Sequence, residues 1–166
     1  MRTIGRLPNV FHDGAAVRIG SNVFEFGGGD GIRQLDQILR VDPKTGTAIR
    51  VGSLPAPEQR PRRRTWSPGR AYIVGGYTGQ NWLNTIVSWR PGGSARVVAR
   101  LPTPLRYSAV TAAQGKIIVA GGSLPNGDAS RAVYSFDPGS RQLRRLGSLP
   151  APTTHAAQQC WTTAHS

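Results

Sequence analysis

Cysteine is almost missing from this chain: the single thiol, Cys160, cannot close an intrachain disulfide and leaves no cysteine cluster for a metal. The redox compartment therefore stays undetermined. Acidic residues are scarce as well, 8 against 21 basic ones, and the basic set is 19 arginines with only 2 lysines, for a net charge of +13. No apolar run approaches the ~18 residues of a membrane span, and Met1-Arg2-Thr3-Ile4-Gly5-Arg6 has no hydrophobic stretch behind it. The reading is a chain with no membrane span and no export signal of its own. A longer parent could still carry a signal peptide or a lipoprotein anchor upstream, so the localisation is unknown.

An arginine excess of this size raises the question of a nucleic-acid partner, because clustered guanidinium groups displace counterions from phosphate. Distribution answers it. Four arginines fall within residues 58–65, and the others are scattered singly along the chain, the pattern of a solvated surface. Nucleic-acid binding is the disfavoured alternative.

Gly and Pro are plentiful, 21 and 13, and recur at intervals rather than in one tract. That favours many short strands joined by turns. Leu-Pro pairs begin at Leu7, Leu54, Leu101 and Leu149, and glycine pairs stand at Gly27-Gly28, Gly75-Gly76 and Gly121-Gly122. Before each glycine pair runs a short, largely apolar strand, at residues 23–26, 71–74 and 117–120. A further strand follows at 38–41, 86–89 and 133–136. It ends in Asp42-Pro43, Arg90-Pro91 and Asp137-Pro138, with Gly46, Gly92 and Gly139 close behind. Pro at the second turn position with glycine after it makes a tight turn, so a last strand runs back at 47–51, 95–100 and 142–146. Small-residue strands at 14–17 and 108–111 open the first and third units. Four antiparallel strands per unit make one blade of a propeller.

In these landmarks the chain resembles bacterial kelch-type β-propellers: the glycine pair after the second strand, the aromatic or branched third strand and the Asp-Pro turn match in register. The departures are the absence of a Trp on the fourth strand and of a polar residue common to all three units. The expected fold is all-β, an incomplete propeller of three four-stranded blades at residues 7–53, 54–100 and 101–148. Residues 1–6 lead in, and 149–166 begin a fourth unit. Three blades do not close a ring, so self-association through exposed blade faces is expected.

Two stretches break the repeat. Residues 58–68 hold two prolines and an arginine run where the first strand of blade 2 belongs, and after Ala157 the pattern stops. In G+C-rich codons a one-base slip at Glu58 restores an acidic residue six after Leu54 with small residues behind it. A slip at Gln158 likewise restores a strand and an acidic turn. The expectation is a frame-slipped fragment of a longer protein, and resequencing the coding region tests it.

Catalytic material is thin. The resemblance brings in copper oxidases of the galactose-oxidase kind and sialic-acid mutarotases, so a remnant of an enzyme acting on carbohydrate is the alternative function. A copper site needs converging imidazole ligands with Tyr and Cys, and the chain offers only His12, His155, His165 and Cys160. No catalytic, cofactor or metal residue is assigned. The run from Gly27 to Gly31 is a turn rather than a phosphate nest, since no helix follows it. Binding is the better expectation, because rim loops held by rigid blades carry recognition. The candidate loop holds Tyr77, Asn81 and Trp82, with Arg106 and Tyr107 at the start of blade 3, for an unidentified protein or carbohydrate. Packing of Trp82 between blades is the competing role.

Overall fold

The computed structural model describes residues 3–55 and 69–155. Its strands are β1 (Ala15–Ile19), β2 (Asn22–Phe26), β3 (Gln37–Val41), β4 (Ala48–Ser53), β5 (Ala71–Val74), β6 (Thr85–Trp89), β7 (Arg96–Arg100), β8 (Ala109–Ala113), β9 (Lys116–Ala120), β10 (Ala132–Phe136) and β11 (Leu143–Ser148). They form three antiparallel sheets in chain order, β1-β2-β3-β4, β5-β6-β7 and β8-β9-β10-β11. These are three consecutive blades of an incomplete all-β propeller. The disrupted first strand of blade 2 and the aberrant tail, with their frame-slip reading, lie outside the described residues. No helix of the described residues is long and apolar enough to cross a membrane.

The blades stack through alternating side chains. β6 is buried at every position because both of its faces are covered. Val87 and Trp89 pack toward blade 1 with Val17, Phe24, Phe26 and Ile38, while Ile86 packs toward blade 3 with Val110, Val119, Tyr134 and Phe136. The largely apolar second strand of blade 1 carries one acid into the interior: Glu25 is buried at 7% exposure.

The second and third glycine pairs tie their blades to the segment that follows. Gly76 N donates to Leu105 O at 2.9 Å, and Gly122 N donates to Thr153 O at 2.8 Å. A Cβ on Gly75 would collide with Leu105 O, and one on Gly121 would lie 2.5 Å from Thr153 O. Both glycines also have left-handed φ, 67° and 66°, so any other residue meets a clash and backbone strain together.

The Asp-Pro turns differ from the sequence expectation in one place. Four residues after Asp42, Gly46 takes the left-handed position at φ 70°, and in blade 3 the matching position belongs to Arg141 at φ 59°, not to Gly139; blade 2 turns more tightly, with Gly92, two after Arg90, left-handed at φ 71°. Gly139 instead donates its N–H to Asp137 Oδ1 at 2.8 Å, as Lys44 does to Asp42 Oδ1 at 2.8 Å. The aspartate caps the turn, and the residue four places on reverses the chain.

Candidate functional site

On the rim of the glycine pairs, a short segment leads into the first strand of blades 1 and 3, and a matching one follows blade 3. The residue six places after each Leu adopts a left-handed backbone: Asp13 at φ 58°, Tyr107 at 52° and His155 at 54°. A non-glycine residue costs ~1–2 kcal/mol there, so the surrounding structure must hold it. Paired backbone hydrogen bonds do so. His12 and Gly29 exchange two at 2.9 Å each, and Arg106 and Ser123 exchange two at 3.1 and 2.7 Å.

The geometry gathers these positions into one cluster. The guanidinium carbon of Arg106 lies 4.8 Å from the ring centre of Tyr77, 5.3 Å from that of Trp82 and 4.7 Å from that of Tyr107. Each contact is worth ~0.5–1 kcal/mol at a surface site. Arg106 Nη2 donates to the Tyr107 hydroxyl at 2.6 Å, and that hydroxyl donates to Asp13 Oδ2 at 3.2 Å. The Tyr107 ring stacks on His155, 4.2 Å between centres and 20° between planes. Ser123 and Thr154 hydrogen-bond through their hydroxyls beside it.

Charge is fixed by the same contacts. The His12 hydrogen bond, and after it the one from Tyr107, holds the Asp13 carboxyl below its usual range against the opposing effect of burial. Burial pushes the Tyr107 hydroxyl up, the Asp13 carboxylate adds to that, and Arg106 works against it. Asp13 is thus an acceptor and Tyr107 a neutral donor at physiological pH. The arrangement can orient a polar ligand between a cation, a carboxylate and two aromatic faces.

Of the sequence candidates, Tyr77, Trp82, Arg106 and Tyr107 come together. Asn81 does not join them: its backbone N–H and carbonyl pair with Thr78, and the residue is exposed. Trp82 is half-buried on the rim, tilted against Tyr77 at 6.0 Å. Sequence reasoning passed over Asp13 and weighed His155 only as a metal ligand, although their shared place six after a Leu was visible. Among the described residues no three His, Cys, Asp or Glu side chains group to hold a metal. Cys160 and His165 lie outside those residues.

No family profile matches the chain. Among curated proteins it is similar to Kelch-like protein 35 of Mus musculus, 25% identical over 183 residues, covering 83% of this chain and 32% of the relative. It is also similar to Kelch-like protein 35 of Homo sapiens, 29% identical over 180 residues, 80% of this chain and 30% of the relative. The chain therefore spans about a third of the length of these relatives. The solved structure of YjhT matches with a TM-score of 0.69 at 15% identity, over 87% of this chain and 54% of its own. Together they identify the fold as a kelch-repeat β-propeller.

Proposed function

We propose that this kelch-type propeller segment is a non-enzymatic binding module, its units at residues 7–53, 54–100 and 101–148, which captures a protein partner on the glycine-pair rim. The observation that carries the reading is Arg106, ringed by Tyr77, Trp82 and Tyr107 and linked through the Tyr107 hydroxyl to Asp13. Trp, Tyr and Arg are the residues that dominate binding energy at protein interfaces. Here the ring contacts fix them in place before a partner arrives, which lowers the entropy cost of binding. An immobilised peptide array identifies ligands of the unsubstituted chain. Arg106→Ala and Trp82→Ala are expected to weaken the captured peptides by about 30-fold or more, the scale of a hot-spot loss of ~2 kcal/mol. Retained binding in both variants overturns the reading.

The Tyr77 and Trp82 pair favours a second reading, a remnant of an enzyme acting on carbohydrate, because such a pair also stacks on a sugar ring. The two separate on product formation. Turnover of mono- or disaccharides, lost in Tyr107→Phe, supports the enzyme, and peptide capture without turnover supports the module.

A further inference from the structure

On the opposite rim, between blades 2 and 3, four arginines line one wedge. It is a cavity of about 240 Å³ bounded by Arg70, Arg90, Arg96 and Arg141 together with Tyr72 and Ser88. Strand pairing explains the convergence. Tyr72 stands opposite Ser88, and Ser88 stands opposite Arg96, so the three side chains share one face of blade 2. Phe136 of β10 closes the inner end, its ring 6.2 Å from that of Tyr72. Arg70 precedes β5 and donates from Nη1 to Ser88 Oγ at 3.1 Å. Arg90 follows β6 and folds across Gly93, where an added Cβ would lie 3.0 Å from its Cγ. Arg141 reaches the wedge from the left-handed position of the β10–β11 turn, which blade 1 gives to Gly46.

Among the described residues no carboxylate lines this space. The Nε of Arg70 is buried there without a hydrogen-bond partner among the described residues. Guanidinium groups brought to a common cavity repel one another, and a buried donor without an acceptor forfeits its hydration. A small oxyanion removes both penalties. Its tetrahedral oxygens accept paired N–H bonds from planar guanidinium groups and single bonds from the neighbouring hydroxyls.

We infer that the wedge between blades 2 and 3 is an oxyanion site, taking the phosphate or sulfate group of a small ligand. It is separate from the rim that carries Arg106, so either site can fail without the other. Inorganic phosphate and inorganic sulfate, titrated calorimetrically against sodium chloride of matched ionic strength, test it. Saturable binding of either ion is expected, with the tighter of the two naming the ester class. Arg90→Gln and Arg96→Gln, both on the outer part of blade 2, are each expected to weaken it at least 10-fold, and Trp82→Ala is expected to leave it unchanged. A response no larger than that to chloride overturns the inference, and so does equal affinity in both arginine variants. Thermal melts of the same variants show that they are folded.

Discussion

Between blades 1 and 2, Phe24 and Phe26 close on Trp89 with ring centres 5.0 and 5.4 Å apart, whereas between blades 2 and 3 the corresponding contact is Tyr72 on Phe136 at 6.2 Å. Phe24 and Tyr72 hold the same repeat position, as do Trp89 and Phe136, so the two joints share a geometry. Their polar surroundings differ. Where blade 1 presents Asn22, Asp42 and Ile49, blade 2 presents Arg70, Arg90 and Arg96. The repeat fixes where each side chain goes. Composition at those fixed places then centres one joint on an aromatic contact and lines the other with a basic cleft.

The seam is the place to break this contrast hardest. Trp89→Ala is expected to cost ~3–5 kcal/mol of stability, the usual loss for a fully buried aromatic, as read from urea unfolding. Tyr72→Phe, which removes only a hydroxyl from the basic joint, is expected to cost under ~1.5 kcal/mol. Comparable losses would show that apolar packing does not distinguish the joints.

A smaller effect comes from the outward face of blade 1. At the repeat position where Ile73 and Val119 pack toward the preceding blade, blade 1 carries Glu25. Neither of its carboxyl oxygens has a partner among the described residues, and burial pushes its pKa from 4.5 up to about 7. The folded chain therefore keeps this proton until about pH 7, while the unfolded chain releases it near pH 4.5. Its stability is fully present below the lower value and is lost as pH rises through the upper one, by ~2–3 kcal/mol. Unfolding midpoints measured across that window are expected to fall for the unsubstituted chain and to flatten in Glu25→Gln. A midpoint that rises with pH would assign the titration to another group.

The smallest expected change is at the β10–β11 turn. Arg141→Gly places in blade 3 the residue that blade 1 uses at the same left-handed position, Gly46, and should stabilise the turn by ~0.5–1 kcal/mol. A thermal melt reads it, and a destabilised variant would mean that the arginine side chain contributes more than its backbone costs.

Much of this was legible before any coordinates. The second and third glycine pairs mark strand ends because a Cβ on Gly75 or Gly121 meets the carbonyl of the following segment, a local consequence of blade stacking. The turn aspartates were equally readable, since they cap the backbone within three residues. The rim cluster was half legible. Tyr77 with Trp82, and Arg106 with Tyr107, are close in sequence, but the two pairs belong to different blades and Asp13 joins Tyr107 across 94 residues, so only the stacking of the blades brings them together. The arginines were misleading in one dimension. Read along the chain they are scattered singles of the kind that coat a surface, yet strand pairing and blade stacking place four of them around one cavity.

The sequence alone determined the blade: its strands, its turns and the glycines at its seams, because each is a local rule repeated at a fixed interval. Tertiary structure decided what the blades do together. Whether a joint is lined by aromatic or by charged side chains, and which rim residues meet, depends on side chains of different blades facing one another. That facing is a property of the stacked blades.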